Sequence, residues 1–434
     1  MDYSKFLSER SKARCPSAIR ALMPYLNNKA VLSLGAGQPN PDTFPFQSMT
    51  VTLKSGETIE FDGSLFVRSL SYDLTSGLPL LNDWLRNLQV HEHAPPRKDF
   101  DLTVGPGSQD LLAKALEMFC EPGRALLVEN PTYTGALSFL DTQPIDLVSV
   151  DTDSQGIVAD SLEEILSNWP ETNPNGDKSQ PRPQVLYTVP IGGNPTGVSA
   201  SLERKKKVYE ICQKYDVLIV EDDPYYYLQF GKSRIPSYFS MDVDGRVLRL
   251  DSMSKILSSG IRIGWATGPK ALIERINLHT MTTNLQPAGV PQLMAYGLLE
   301  KWGIEGFMQH IERVAGFYRE KRDMFVECLD RHLTGLAEWV VPDSGMFVWI
   351  KLLGGITDTY DLVLNKAVKH NVIAIPGNAF VAYGKSTPYV RVSYSCVTYE
   401  QMDEALRRLA VVIREEAAAK GSQANGHSAT NGVH

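Results

Sequence analysis

Short apolar runs alternate with amphipathic segments through the middle of the chain. The apolar runs lie at 125–129, 145–150, 185–189, 217–220, 247–250 and 263–267. Each is almost continuous in hydrophobic residues, as is typical of strands that helices cover on both faces. The segments between them at 108–119, 161–168 and 201–215 have the helical spacing of apolar positions. This alternation predicts βαβ units and an α/β fold with a mostly parallel sheet.

The pattern changes after residue 303. It predicts a long helix over 304–333, strands at 346–352 and 389–393 with a helix between them, and a closing helix from 399 to about 420. These elements indicate a smaller α+β domain at 304–420, which follows a large domain at 46–303. Residues 421–434 are rich in Gly, Asn and Ser and contain almost nothing apolar, so we expect a disordered tail there.

Composition and charge exclude several classes of protein. The 434 residues are 43% hydrophobic and 21% charged, which is the ordinary globular range. The net charge of −7 provides no basic field for nucleic acid or an anionic membrane, so we expect neither as a partner. No apolar run approaches the roughly 20 residues of a membrane helix. The five cysteines lie far apart without a C-x-x-C pair, which indicates free thiols and no metal site.

The first residues contain no apolar core of the signal-peptide kind. Four basic residues between positions 5 and 14 would suit a mitochondrial presequence, but Asp2 and Glu9 oppose that interpretation. The last residues also differ from the peroxisomal S-K-L address. We therefore expect a cytoplasmic protein.

The most informative motif is D-S-M-S-K-I-L-S-S-G-I-R at 251–262. Lys255 follows a predicted strand and has Ser252, Ser254 and Arg262 close to it in sequence. A lysine amine can form a Schiff base with an aldehyde, and serine hydroxyls and a guanidinium can hold a phosphate group. The motif therefore favours a phosphorylated aldehyde cofactor, namely pyridoxal 5'-phosphate, over a solvated lysine in a Ser-rich loop.

A second motif, L-I-V-E-D-D-P-Y, runs from a buried strand into carboxylates at 218–225. Ligands of parallel-sheet proteins bind beyond the carboxyl ends of the strands, where Asp222 would lie. An aspartate there can keep a pyridine nitrogen protonated, and Tyr225 can donate a hydrogen bond to the phenolic oxygen of the ring. The alternative is that these acids only cap a turn.

Three further strand ends carry glycine-containing motifs: N-P-T-G at 194–197, G-S-Q at 107–109 and N-P-T-Y-T-G at 130–135. Gly107 and Ser108 begin a predicted helix, and free N–H groups at a helix N-terminus bind phosphate. Tyr133 could cover a planar ring. Each motif alone is also ordinary turn or capping chemistry.

Together, in this order and spacing, the motifs resemble the class I, fold-type I pyridoxal-phosphate aminotransferases, from about residue 3 to 418. The S-x-I-R of 17–20, the G-x-P-N-P of 37–41 and the E-D-D-P-Y-Y-Y-L-Q-F of 221–230 are similar to the subgroup of kynurenine/α-aminoadipate and fungal aromatic amino acid aminotransferases. The resemblance implies a large domain with a seven-stranded, mostly parallel sheet and a small α+β domain. It also implies a homodimer with shared active sites. The segment 1–45 would contribute to the small domain and the substrate pocket.

The resemblance also assigns site residues. Catalytic roles would fall to Lys255, Asp222 and Tyr225. The cofactor would be held by Ser108, Gln109, Tyr133, Asn194, Asp222, Tyr225, Ser252, Ser254, Lys255 and Arg262, together with Tyr72 of the partner subunit. The substrate would be bound by Arg391, which grips the α-carboxylate, and by Arg20, Gly37, Gln38, Asn194 and Tyr133.

The implied reaction moves the α-amino group of an amino acid to a 2-oxo acid such as 2-oxoglutarate. We expect an aromatic donor (Tyr, Phe or Trp), because the resemblance is to a subgroup whose fungal members commonly act on aromatic substrates, and because Trp265, Phe347 and Tyr133 can supply apolar surface. α-Aminoadipate and kynurenine stay open as donors, and a β-lyase or decarboxylase stays open as the reaction. A DNA-binding regulator with an aminotransferase-like domain is not expected, since only about 30 residues precede the G-A-G-Q-P-N-P motif.

Two departures from the family pattern bear on the substrate. Gly193 stands where relatives usually have Asn or Gln, and Gln38 stands where a mammalian relative has an apolar residue. Neither affects the cofactor assignment. Both make the identity of the amino donor harder to predict.

Overall fold

The computed structural model describes residues 1–18, 22, 25, 30–32, 34–35 and 37–430. The first two strands, β1 (Met49–Thr52) and β2 (Thr58–Phe61), form a small antiparallel hairpin. The large sheet follows, formed by β3 (Phe100–Gly105), β4 (Ala125–Asn130), β5 (Asp146–Asp153), β6 (Gly156–Ile157), β7 (Val185–Thr188), β8 (Leu218–Asp222), β9 (Val247–Ser252) and β10 (Gly264–Pro269).

The strand order of the large sheet is β3-β10-β9-β8-β7-β4-β5-β6. The parallel pairs in this order are β9–β8, β8–β7, β7–β4 and β4–β5. Strand β10 is antiparallel to both β3 and β9. The mostly parallel sheet is thus confirmed. It has an eighth strand beyond the expected seven, because the two-residue β6 pairs with the end of β5.

Helices cover both faces of this sheet. On β4, Leu126 and Val128 belong to one hydrophobic core, whereas Ala125 and Leu127 belong to another on the opposite face. Since both faces are buried, positions 125–128 of the strand are all apolar, which is why the run is continuous rather than alternating. The covering helices are Pro79–His93, Ser108–Glu117, Thr134–Leu140, Ala159–Ser167, Leu202–Lys214 and Lys270–Thr283, whereas Gly63–Ser69 packs with the β1–β2 hairpin.

The smaller domain is built on a four-stranded antiparallel sheet. Its strands are β11 (Ala337–Trp339), β12 (Phe347–Leu352), β13 (Ile375–Pro376) and β14 (Tyr389–Ser393), in the order β11-β12-β14-β13. The long helix Gly289–Leu333 joins the two domains and is interrupted at Gly303, where φ is 61° and ψ is −177°. This break lies at the predicted domain boundary. A π-helical turn spans Leu362–Ala367.

The closing helix Tyr399–Thr430 extends beyond its predicted end near residue 420. The segment 415–420, E-E-A-A-A-K, is made of strong helix formers, and extending an existing helix is much easier than starting one. The helix therefore covers residues 421–430, where the sequence predicts a disordered tail. None of the helices in the described ranges is long and apolar enough to span a membrane.

Residues 3–14 pack on the large domain, which differs from the expected attachment of segment 1–45 to the small domain. Phe6 is 1% exposed within the large core. The Ser8 amide donates a hydrogen bond to the Met118 carbonyl at 2.8 Å. The helix Glu9–Ala13 follows, and Arg14 pairs with Glu117 through two contacts of 2.7 Å. The buried aromatic side chain and the bidentate ion pair hold this segment against the large domain.

Candidate active site

A cavity of about 420 Å³ lies at the carboxyl ends of the parallel strands, where the large and small domains meet. The turns that follow β3, β4, β7, β8 and β9 all contribute to its wall, as expected of a doubly wound α/β fold. The small sheet contributes from β12 and β14. The lining residues are Ser108, Gln109, Leu112, Tyr133, Thr134, Val189, Asn194, Asp222, Pro224, Tyr225, Ser252, Ser254, Lys255, Arg262, Phe347 and Arg391.

Lys255 enters the cavity from the short 3-10 turn Met253–Lys255 that follows β9. The turn is fixed because the Ser254 amide donates a hydrogen bond to the Ser252 hydroxyl at 3.1 Å. Burial lowers the pKa of the Lys255 amine, and the charges of Arg262 and Arg391 lower it further. A neutral amine is the nucleophilic form that a Schiff base requires.

An anion cradle lies beside this turn. The helix Ser108–Glu117 starts at the cavity with its free N–H groups, after Gly107 with a φ of 94°. Arg262 donates from Nη1 to the Ser254 hydroxyl at 3.3 Å and from Nη2 to the Pro106 carbonyl at 3.2 Å. A Cβ at Gly107 would lie 2.1 Å from Arg262 Nη2, so glycine is required there. The cradle combines a helix N-terminus, hydroxyls and a guanidinium, which together suit a phosphate group.

Asp222 is the last residue of β8 and is 4% exposed. Its Oδ2 accepts a hydrogen bond from the Tyr187 hydroxyl at 2.9 Å, whereas its Oδ1 is buried and has no partner among the described residues. Burial raises the pKa of the Asp222 carboxyl to about 7. A cationic N–H donor against Oδ1 would satisfy both the orphaned oxygen and the buried charge.

Arg391 extends from β14 towards the large domain. Its Nη1 donates to Asn194 Oδ1 at 3.0 Å. Its guanidinium carbon lies 4.4 Å from the ring centroid of Phe347 and 5.2 Å from that of Phe380. Burial lowers the pKa of Arg391, and its Nε has no partner within the described part of the chain. The guanidinium is thus held in place with donors unused, as a carboxylate-binding arginine requires.

Gln109 and Tyr133 complete the wall of the cavity. Gln109 donates to the Gly135 carbonyl at 3.0 Å, which ties the two strand-end motifs together. Tyr133 precedes the helix Thr134–Leu140. A Cβ at Gly135 would lie 2.4 Å from the Tyr133 ring, so only glycine lets the ring lie over the first helical turn. This contact explains why the motif contains both residues.

Several residues predicted from the sequence lie outside this cavity. Tyr72, half exposed, and Gln38 line a separate cavity of about 430 Å³ together with Phe44 and Gln286. Gly37 is exposed, and no atom of the described residues lies within 4 Å of a Cβ built on it. Arg20 lies outside the described residues. Gly37 and Gln38 are therefore not brought to Lys255 in this single chain.

Trp265 and Gly193, which the sequence analysis relates to the substrate pocket, do not line the cavity. Trp265 is fully buried in β10 within the large hydrophobic core, so it supplies no surface to the cavity. A Cβ at Gly193 would meet the Thr196 hydroxyl at 3.0 Å and the Val189 carbonyl at 3.2 Å. Gly193 is not among the lining residues.

Sequence reasoning missed Tyr187 and Phe380. In the run V-L-Y-T-V, Tyr187 looks like one more apolar strand residue, and nothing in the pattern indicates that its hydroxyl meets Asp222. Phe380 belongs to the 3-10 turn Gly377–Phe380, which has no periodic pattern. Within the described residues, no group of three or more His, Cys, Asp or Glu side chains is arranged to hold a metal ion.

Comparisons with known proteins agree with this geometry. The family model described as aminotransferase class I and II matches residues 31–409. The chain is 45% identical to the mitochondrial kynurenine/alpha-aminoadipate aminotransferase of Bos taurus, over 96% of this chain and all of the relative. It is 32% identical to an aromatic amino acid aminotransferase of Dictyostelium discoideum, over 95% and 88% of the two chains. The crystal structure of aminotransferase Aro8 from Candida albicans matches with a TM-score of 0.86 and 31% identity, over 96% of this chain and 99% of the other.

Proposed function

Because the chain belongs to the class I and II aminotransferases and uses pyridoxal phosphate, we propose that it transfers the amino group of an aromatic amino acid to 2-oxoglutarate. The observation that carries the choice of donor is the aromatic wall of the cavity, where Phe347 and Tyr133 flank the space next to Arg391. A planar ring gains apolar contact there, and aromatic pairs add about 0.5–1.5 kcal/mol beyond the buried area.

We propose one role for each part of the cavity. When bound, the cofactor supplies a ring that withdraws electrons from the substrate α-carbon. Lys255 takes the α-proton as general base and returns a proton on the other side of the transfer, and burial, which lowers the pKa of its amine, favours the neutral form that this role needs. Asp222 keeps the ring nitrogen protonated through its unpartnered Oδ1.

The remaining groups orient the cofactor. Asn194 and Tyr225, which both line the cavity, face the ring oxygen in this proposal. Tyr133 stacks on the ring. The phosphate group is held by the anion cradle of Ser108, Gln109, Ser252, Ser254 and Arg262.

Substrate recognition is assigned to Arg391. Its fixed position between two phenylalanine rings leaves a planar fork of N–H donors for the α-carboxylate. Amino acids and 2-oxo acids share this carboxylate, so one anchor serves both halves of the reaction. Arg20, Gly37 and Gln38 are proposed to meet the substrate side chain.

We further propose a homodimer in which Tyr72 reaches the active site of the partner subunit. The half exposure of Tyr72, away from Lys255 of its own chain, supports this arrangement. Mixed dimers test it: a Lys255→Ala chain combined with a Tyr72→Ala chain regains one intact site if Tyr72 acts across the interface. If Tyr72 acts within its own chain, mixing gives no gain over the Tyr72→Ala enzyme.

A cytoplasmic location is also proposed. The burial of Phe6 and the pairing of Arg14 with Glu117 make residues 3–14 part of the fold, which argues against their removal as a presequence. The bovine relative is named as mitochondrial. Fractionation of cells expressing the full chain, with the N-terminus of the purified protein sequenced, distinguishes the two locations.

The donor is tested by single half-reactions. The enzyme loaded with cofactor is mixed with tyrosine, phenylalanine, tryptophan, kynurenine or α-aminoadipate, and the change in cofactor absorption is followed. We expect the largest kcat/KM for the three aromatic amino acids. A tenfold preference for α-aminoadipate or kynurenine, donors named for the bovine relative, would replace our choice of donor without affecting the reaction class.

A further inference from the structure

Tyr187 is a polar residue in the interior of the large sheet. It lies on β7 next to β8, and its side chain is fully buried. Its hydroxyl donates to Asp222 Oδ2 at 2.9 Å. Since Oδ1 of Asp222 has no partner among the described residues, this hydrogen bond fixes which carboxylate oxygen stays available.

The other charges near Asp222 do not replace this hydrogen bond. The charge of Arg249 favours the ionised carboxylate, but its guanidinium is engaged by Asp251 at 2.7 Å, Asp223 at 2.9 Å and Glu221 at 3.1 Å. Asp223 and Asp251 themselves oppose ionisation of Asp222. The groups that act on Asp222 are Tyr187 from β7, Asp223 from the turn after β8, Arg249 and Asp251 from β9, and the phenols of Tyr133 and Tyr225.

Tyr187 is suited to remain a donor. Burial, followed by the charge of Asp222, raises the pKa of its phenol well above the ordinary value, so the proton stays on Tyr187. The hydrogen bond in turn lowers the pKa of Asp222 against the effect of burial. The phenol therefore stabilises the carboxylate without competing for its charge.

We infer that Tyr187 is a positioning residue, which holds Asp222 ionised and turned so that Oδ1 receives the N–H of the cofactor ring. This inference rests on the proposed pairing of Asp222 with the ring nitrogen. Tyr187, a strand residue outside the cavity wall, thereby helps to keep the ring nitrogen of the cofactor protonated. The substrate does not contact Tyr187, so its effect is confined to steps that depend on ring charge.

The test removes one hydroxyl and keeps the ring. Tyr187→Phe is compared with Tyr227→Phe, which is a matched control because Tyr227 is also buried and its hydroxyl has no partner in the described structure. Each enzyme is loaded with cofactor labelled with ¹⁵N in the ring, and the nitrogen resonance is measured across pH. We expect Tyr187→Phe to move the resonance towards that of the unprotonated ring and Tyr227→Phe to leave it unchanged.

Kinetics supply the second measurement. Loss of one hydrogen bond to a charged group corresponds to a fall of about 10- to 100-fold in kcat. KM for the amino acid should stay near the wild-type value, because the carboxylate contact lies at Arg391. A purely structural role would lower the thermal midpoint and leave the nitrogen resonance of the folded enzyme in place, which would overturn the inference.

Two further variants separate a failure of the inference about Tyr187 from a failure of the proposed role of Asp222. If Asp222→Asn leaves both the resonance and the rate unchanged, the proposed role of Asp222 fails. If Asp222→Asn changes both and Tyr187→Phe changes neither, only the inference about Tyr187 fails. Should Tyr187→Phe not fold, 3-fluorotyrosine at position 187 keeps the hydroxyl and makes it a stronger donor. The pH at which the ring nitrogen loses its proton should then rise, and an unchanged titration of the resonance would contradict the inference.

Discussion

Replacement of Arg391 by alanine should weaken every substrate of the enzyme together. The guanidinium lies between Phe347 and Phe380 and keeps Nε unpartnered in the described structure, so a carboxylate meets a donor fork that is already positioned. Truncating one partner of such a buried charge pair costs about 2–5 kcal/mol. At about 1.4 kcal/mol per factor of ten, kcat/KM falls by roughly 30-fold to several thousand-fold.

The assay measures kcat/KM for an aromatic donor, α-aminoadipate and 2-oxoglutarate. Arg391→Lys keeps the charge but loses the planar fork, so we expect it to recover only part of the loss. Arg331→Ala serves as a control, because Arg331 is an exposed arginine that pairs with Glu327 and Asp403 and does not line the cavity. If Arg391→Ala spared any one of the three substrates, Arg391 could not be the shared carboxylate anchor.

Four further outcomes follow from the same geometry. Arg20→Ala should change substrates selectively, and an equal loss for the three substrates above would contradict its assignment to the side-chain pocket. Gly107→Ala should raise the dissociation constant for the cofactor, measured by equilibrium dialysis, because the new Cβ would lie 2.1 Å from Arg262 Nη2 and a φ of 94° disfavours alanine. Phe6→Ala should lower the free energy of unfolding by about 3–5 kcal/mol in chemical denaturation, since the ring is buried. Burial raises the pKa of Asp222 from 3.8 to about 7, so between these pH values the folded apoprotein binds a proton that the unfolded chain has released. This carboxyl therefore lowers the free energy of unfolding as the pH rises from about 4 to about 7. The Asp222→Asn apoprotein should lose less stability over that range.

The elements that the sequence predicts well are those whose residues carry a strong local pattern. All six apolar runs of the large domain became strands, because burial on both faces demands continuous hydrophobic residues. Strand β3, the two-residue β6 and β13 were missed, since short strands and a strand with polar positions such as Asp101 and Thr103 lack that pattern. Their pairing depends on neighbours that are distant in sequence.

The site residues can be predicted from the sequence where a reactive or charged side chain directly follows a predicted strand. Lys255, Asp222, Asn194, Ser108 and Arg391 come from separate motifs, yet the topology brings them into one cavity. Tyr187 could not be found in this way, because its role depends on the register of β7 against β8. The surroundings of Tyr72 and Gln38 were also not predictable, since they depend on contacts with distant parts of the chain.

The role of Lys255 is tested most directly by identifying the lysine that holds the cofactor. The holoenzyme is reduced with borohydride, digested and examined by mass spectrometry for the peptide that carries the reduced pyridoxyl phosphate group. We expect the modification on Lys255 alone, with none in the Lys255→Ala enzyme. Modification of a different lysine, or retention of the group in Lys255→Ala, would contradict this role.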